Sequence, residues 1–217
     1  INVTELFKNN PEKENARNHF NLNSTDFVVG VVGRISRKKG QLFVVQALKE
    51  ELKNNSNLKL LIVGSATIND EDCQNYEREL HAFVKNEGLT SSVIFYPHSN
   101  DVALFYKSID LFVLSSESET YGMVTLEALF FKIPILATKS GGTSDLLNQG
   151  EFGELYTYQN QADFLLKFHH IQANFETAKS KSNTGFEFAM KNYTLAVETY
   201  AINSLLKSLL WNSPKEN

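Results

Sequence analysis

The chain has one cysteine, Cys73, which excludes an internal disulfide and any metal site built from clustered thiolates. One thiol in 217 residues fits a reducing compartment. No apolar run approaches the roughly 18 residues that span a bilayer, and no signal peptide is visible. Positive charge is not in excess: the net charge is -4 and the pI about 5.8, which argues against a general nucleic-acid-binding protein. Neither G-x-G-x-x-G nor a Walker loop occurs, and no Ser-His-Asp, Cys-His or metal-ligand spacing stands out. A complete catalytic apparatus cannot be assembled within the chain. Internal repeats and low-complexity linkers are lacking too. The sequence opens without Met, which suggests a piece of a longer chain. Its Asn-X-Ser/Thr sequons, at Asn2, Asn23, Asn54 and Asn192, are read as chance in an Asn-rich sequence.

What is present reads as one ordinary globular domain, with 42% hydrophobic and 21% charged residues. Residues 1–26 are polar and irregular, with a short helix expected near Pro11 to Phe20. Phe27 to Gly33 is a continuous apolar run, as in a strand buried on both faces. Leu42, Val45, Leu48 and Leu52 then recur at helical spacing. Further strands are expected at Leu58–Val63, Val93–Tyr96, Ile109–Leu114, Pro134–Ala137 and Phe152–Tyr156. Helices are expected around Tyr76–Val84, closed by Gly88, at Asp101–Lys107 and from Met123 to Phe131. From Ala162 onward the chain reads as helical, and Leu195, Tyr200, Leu205 and Leu209 mark a broad apolar face near its end. Strands alternating with helices predict an α/β fold, a doubly wound parallel sheet with a C-terminal helical tail.

Ligands of such sheets bind beyond the carboxyl ends of the strands, and the noteworthy loops fall there. After the first strand come Gly33, Arg34, Arg37, Lys38 and Lys39, then Gly40 opening a helix. That loop is either a diphosphate clamp or a solvated basic loop. The stretch from Ser116 to Leu129 carries Glu119 in a turn and Glu127 inside an apolar helix, with Gly122 where the helix begins. Free N–H groups at a helix start favour an anion. Glu127 is five residues further on, roughly 7 Å along the axis. A diphosphate at Gly122 and a ribose diol at Glu127 would suit that offset, and the combination suggests a sugar nucleotide. The structural alternative pairs Glu127 with a buried Lys or Arg. Ser140-Gly141-Gly142-Thr143 is a place for close backbone approach to a ligand or a tight turn requiring positive φ. His98, after Tyr96-Pro97, reads first as a loop histidine.

Together these motifs resemble the retaining glycosyltransferases of family 4, group 1, in their C-terminal, donor-binding half within the GT-B architecture. The resemblance is carried by Gly33-Arg34 with Lys39-Gly40, Val63-Gly64, and Glu119-x7-Glu127. Gly141-Gly142 followed by Asp145, and the Gln149-Gly150-Glu151-Phe152-Gly153 turn, complete it. It covers about residues 1–212, so residues 1–217 are expected to be one nucleotide-sugar-binding domain without the N-terminal acceptor domain. The resemblance implies transfer of a sugar from a UDP- or GDP-sugar to a glycan or lipid-linked acceptor, with retention of configuration, in polysaccharide or glycolipid synthesis. Arg34, Lys39 and Glu119 are implied at the reacting centre, the first two on the diphosphate and Glu119 on the transferred sugar. Glu127 is implied on the ribose, backbone at Gly122, Met123 and Val124 on the distal phosphate, and Tyr96-Pro97-His98 on the base. No metal or other cofactor is implied, nor any nucleic-acid partner. The expected location is the cytoplasm, including the inner face of the membrane, where the full-length enzyme would associate peripherally. Thr120-Tyr121 departs from the family's common Gly-Phe, and Asp145 from its usual Glu. A hexosyltransferase whose isolated half is inactive is the expectation. A non-catalytic sugar-nucleotide-binding module acting with a partner chain, and a GT-B sugar-nucleotide epimerase, remain the alternatives.

Overall fold

The computed structural model describes residues 1–98 and 101–211, the last three through their backbone only. Two short helices, α1 (Val3–Leu6) and α2 (Lys13–His19), precede the first strand, β1 (Phe27–Val32). A 3-10 turn at Arg37–Lys39 leads into α3 (Gln41–Ala47) and α4 (Lys49–Asn54), then β2 (Leu58–Val63), α5 (Glu71–Asn86) and β3 (Val93–Tyr96). The second half runs α6 (Val102–Ser108), β4 (Leu111–Leu114), α7 (Met123–Phe130), β5 (Ile135–Thr138), α8 (Gly141–Leu146) and β6 (Glu154–Tyr156). Three helices close the chain: α9 (Gln161–Ala173), α10 (Phe175–Asn192) and α11 (Leu195–Trp211).

All strand pairings are parallel, in the order β3-β2-β1-β4-β5-β6. The order reverses between β1 and β4, and such a reversal opens a crevice at the carboxyl edge of the sheet. Alternation along the strands divides the core into two layers. Val29, Val31, Leu60, Ile62, Leu111 and Val113 face α3, α5 and α9, against Val44, Val45, Leu80, Phe164 and Phe168. Val28, Leu61, Val63, Phe112 and Leu114 face the other way, onto Phe105, Tyr106, Leu126, Leu129 and Phe130 of α6 and α7. Burial on both faces explains why the strands read as unbroken apolar runs.

The expected strands are all found, and the differences have local causes. The fourth strand begins at Leu111 because Asp110 is pinned ahead of it. Its carboxylate accepts from the Val28 N–H at 2.8 Å, from Arg17 at 2.6 Å and from Lys13 at 2.6 Å. Ile109 is the C-cap of α6. The helix expected through Leu42 and Leu52 is broken at Leu48 (φ -89°, ψ 6°) into α3 and α4. The opening segment is more ordered than its composition suggested: α1 is capped by the Asn2 side chain, and Arg17 of α2 is buried and bonded to Ser108, Asn23 and Ser24 carbonyls. Ser140–Thr143 is no open loop, since Gly141 starts α8. Leu195, Tyr200 and Leu205 of α11 are exposed; the Leu209 side chain lies outside the described residues.

Candidate functional site

Because every strand is parallel, the segments following β1, β2, β3, β4 and β5 emerge at one edge. Gly33 and Gly64 end β1 and β2 in conformations of φ +135° and +150°. A Cβ on Gly64 would stand 2.0 Å from the Gly33 carbonyl oxygen, so the two turns pack with no side chain between them. Among the described residues, nothing beyond its own chain neighbours lies within 4 Å of where a Gly33 Cβ would be, which leaves that backbone open toward the crevice.

Across this edge the β1 and β4 segments are tied together. The Ser115 hydroxyl donates to the Lys39 carbonyl at 2.7 Å, and the Glu117 N–H donates to the Lys38 carbonyl at 2.8 Å. These bonds bring Lys39 onto Glu119: its ammonium pairs with Oε1 in a short contact. The buried Ser116 hydroxyl donates to the same oxygen at 2.6 Å. Oε2 of Glu119 carries neither contact. The Glu119 side chain is 12% exposed and Lys39 28%, so water screens this pair less than a surface one. The Glu119 backbone is fixed as well, since its carbonyl accepts from the Gly142 N–H at 2.9 Å. Gly141, at φ +49°, would carry a Cβ 2.2 Å from that carbonyl. Gly141 and Gly142 thus make their close approach to the backbone of residues 119–120.

Gly122 (φ +74°) is the N-cap of α7 and supplies no capping side chain. The first N–H groups of a helix have no partner within it, so those at Met123 and Val124 face outward with the positive end of the helix dipole. Further along the same helix, half-buried Glu127 accepts from the Tyr106 hydroxyl at 2.9 Å through Oε2. Burial pushes the Glu127 pKa up, and the Tyr106 hydrogen bond opposes that only in part. No Lys or Arg pairs with Glu127 among the described residues. The expected structural alternative, a buried cation partner, is therefore replaced by a phenol.

The other residues of the basic loop divide. Arg34 is exposed at the edge, whereas Arg37 turns away to α5, where it bonds Glu79 at 2.9 Å, sits 3.6 Å from Asp72 and covers the Tyr76 ring. On the next loop, the Tyr96 ring packs against His19 and Phe20, with centroids at 5.1 and 4.9 Å. Pro97 and His98 are exposed beside it. The edge thus gathers Gly33, Arg34, Lys39, Glu119, the start of α7 and Glu127. Among the described residues, no three His, Cys, Asp or Glu side chains cluster closely enough to hold a metal ion.

Two residues escaped notice in the sequence. Ser116 stands three before Glu119, the spacing at which a hydroxyl and a carboxylate commonly meet in a turn, and that spacing could have flagged it. Tyr106 is 21 residues from Glu127 on a different helix, and no local pattern joins them.

This arrangement has relatives. The family model described as "Glycosyl transferases group 1" matches residues 12–186, and the chain belongs to that family. It is 31% identical over 150 residues to the capsular polysaccharide biosynthesis glycosyltransferase CapM of Staphylococcus aureus, covering 69% of this chain and 37% of that protein. Among solved structures, Anabaena HepE in complex with UDP and glucose is similar with a TM-score of 0.84 at 24% identity, over 96% of this chain and 55% of that one. The C-terminal domain of a group 1 family glycosyl transferase, LpcC of Francisella tularensis, is similar with a TM-score of 0.76 at 22% identity, over 90% of this chain and 99% of that domain. These likenesses identify the fold as that of the GT-B glycosyltransferases. The chain spans 37% to 59% of the length of the first curated relatives it matches. Among the described residues no helix is long and apolar enough to cross a membrane.

Proposed function

We propose that this chain is the donor-binding half of a retaining hexosyltransferase of family 4, which takes a sugar from a UDP- or GDP-sugar and passes it to a glycan or lipid-linked acceptor. The observation that carries the reading is the Lys39–Glu119 pair at the crevice edge, together with the uncapped start of α7 and with Glu127 further along that helix. Arg34 and Lys39 would offset the charge that grows on the departing diphosphate, and the N–H groups of Met123 and Val124 would receive its distal phosphate. Lys39 and Ser116 both act on Oε1 of Glu119, so Oε2 is the oxygen free to accept a hydroxyl of the transferred sugar. Glu127 would accept the ribose hydroxyls. The backbone at Tyr96-Pro97-His98 would meet the base, because the Tyr96 ring is already committed to His19 and Phe20. Gly141 and Gly142 would act through Glu119, by holding its backbone, more than by touching the donor. Retention without a nucleophile from this half leaves acceptor activation to a second domain. Cationic side chains and the helix start supply the charge for which other transferases use a metal.

The names of CapM and of the UDP complex of HepE support a nucleotide-sugar donor and a place in polysaccharide synthesis. The match of the chain to nearly the whole Francisella domain supports reading residues 1–217 as one donor domain. The full-length enzyme would then work in the cytoplasm and meet its acceptor through a further domain, at the membrane's inner face. Calorimetry tests the phosphate roles. Arg34→Ala or Lys39→Ala removes a charge-assisted hydrogen bond, and each should weaken UDP or GDP binding by roughly 1.5–3 kcal/mol while leaving the nucleoside nearly unaffected. Equal losses for nucleotide and nucleoside would return the segment to a solvated basic loop.

A further inference from the structure

Lys38 and Glu117, joined through their backbones, form a wall of an open groove of about 510 Å³. That volume falls in the range of small-molecule sites. It is bordered by the 3-10 turn after β1, the segment after β4 and the loop after β6, and its apolar lining is the partly exposed Phe43 with edges of Leu42 and Tyr76. Three amides, from Gln46, Gln159 and Gln161, line it together with Tyr158.

The charges around the groove cancel. Arg37 is engaged by Glu79 and Asp72, while Lys38 and Glu117 stand opposed in sign on one wall. An anion would find no surplus of positive charge there, and an apolar ligand would leave amide donors and acceptors unmatched. A neutral ligand rich in hydroxyls, with a flat apolar face for a ring, satisfies both conditions. The loop carrying Tyr158 and Gln159 is held in place: the Thr157 N–H donates to Asp163 at 2.8 Å, and the Asn160 N–H to the Thr157 carbonyl at 3.0 Å. Gln159 adopts φ +55°, a conformation costly for a non-glycine residue, and its amide donates to the Tyr158 hydroxyl at 3.0 Å. Tyr158 and its amide neighbours are thus presented to the groove by a fixed turn.

We propose that this groove is a carbohydrate subsite for an uncharged oligosaccharide, separate from the nucleotide crevice and sharing with it the Lys38–Glu117 wall. Lys39 directly follows Lys38, and Glu119 lies two residues past Glu117, so a glycan seated here would lie close to the ion pair without displacing a nucleotide. The inference does not rest on the nucleotide reading.

Amide NMR titrations of the chain with maltotetraose, cellotetraose and tetra-N-acetylchitotetraose test it. At least one probe should shift the signals of Tyr158, Gln159 and Gln161, with Kd on the order of 1 mM, and should do so equally with UDP present. Tyr158→Ala, its fold confirmed by its own spectrum, should weaken that probe about fivefold or more, whereas Arg34→Ala should not change it. The proposal is overturned if no probe shifts these signals at about 20 mM, or if Tyr158→Ala binds as the wild type does. Displacement of a bound probe by inorganic pyrophosphate would also overturn it, by making the groove an anion site. A UDP titration of the same sample reads the nucleotide crevice separately, so the failure of one assignment is not mistaken for failure of the other.

Discussion

Replacing Glu127 by Gln separates ligand recognition from structural pairing, because its carboxylate has a hydrogen-bond partner but, among the described residues, no cation. Gln keeps the shape and can still accept from Tyr106, so the buried contact survives. The lost charge affects two hydroxyl contacts of a ribose, and affinity for UDP or GDP should fall by roughly 1–3 kcal/mol, about five- to 150-fold in Kd. Stability should move the other way. Burial raises the folded-state pKa of Glu127 above the unfolded value, so the folded chain binds its proton more tightly. Wild-type stability from this group is then greatest below the unfolded pKa and declines as pH rises through the folded one. Gln has no proton to lose, so the melting temperature of Glu127→Gln relative to wild type should be higher at pH 7 than at pH 4. A 2′-deoxynucleotide gives an internal control: it should bind wild type more weakly and be nearly indifferent to the substitution. Calorimetry and thermal melts on the two proteins decide the case. A folded Glu127→Gln protein that binds the ribonucleotide as tightly as wild type refutes the ribose assignment. A stability loss of roughly 3–5 kcal/mol would mean that a buried cation had been left unpaired, against the geometry.

Gly141→Ala should cost on the order of 1–3 kcal/mol of stability, because its Cβ would strike the Glu119 carbonyl and its φ is positive; an unchanged denaturant midpoint would remove the packing argument. Helix α11 exposes Leu195, Tyr200, Ile202, Leu205 and Leu206, and such a surface favours self-association, so sedimentation should give a concentration-dependent mass, and a clean monomer at high concentration would count against it. The chain alone should bind UDP or GDP yet transfer no sugar, and robust transfer to an added acceptor in a donor-consumption assay would show that acceptor activation needs no second domain.

The sheet was legible because each strand is buried on both faces, which writes it into the sequence as a short apolar run between turns. Helix α7 was legible for a related reason, since Met123–Phe130 is apolar around most of its circumference, and Leu126, Ala128, Leu129 and Phe130 are buried. Boundaries set by tertiary contacts were not. Nothing near Ile109 announces that Asp110 will be held by Arg17 and Lys13, residues more than 90 positions earlier, and so delay β4. The short helix expected near Pro11 to Phe20 is found, but the burial of Arg17 within it depends on carbonyls of the α6 end and the β1 approach, which no local pattern announces. In the site, glycine spacing and charge marked Lys39, Glu119 and Gly122, but the spacing said nothing about direction. Arg37, two residues from Lys39, points to α5 because Glu79 and Asp72 stand there, a fact belonging to the neighbouring helix and not to the loop.

Direction also distinguishes the two carboxylates, which look equivalent in sequence as the ends of one spaced pair. Glu119 lies in a turn whose backbone is gripped by α8 and whose Oε1 is taken by a cation and a hydroxyl. One oxygen of that carboxylate is spent on staying in place, and under the proposed function the other would accept from a ligand. Glu127 sits within α7 and, among the described residues, its carboxylate accepts a hydrogen bond from the Tyr106 phenol and pairs with no Lys or Arg, in surroundings that disfavour its charge. A ligand supplying hydroxyl donors would relieve the second group far more than the first, since hydrogen bonds to the ionised form lower the cost of ionising it. Under the proposed function Glu127 would therefore gain the more from a diol, and Glu119, already paired with Lys39, would orient a single hydroxyl beside a diphosphate competing for that lysine.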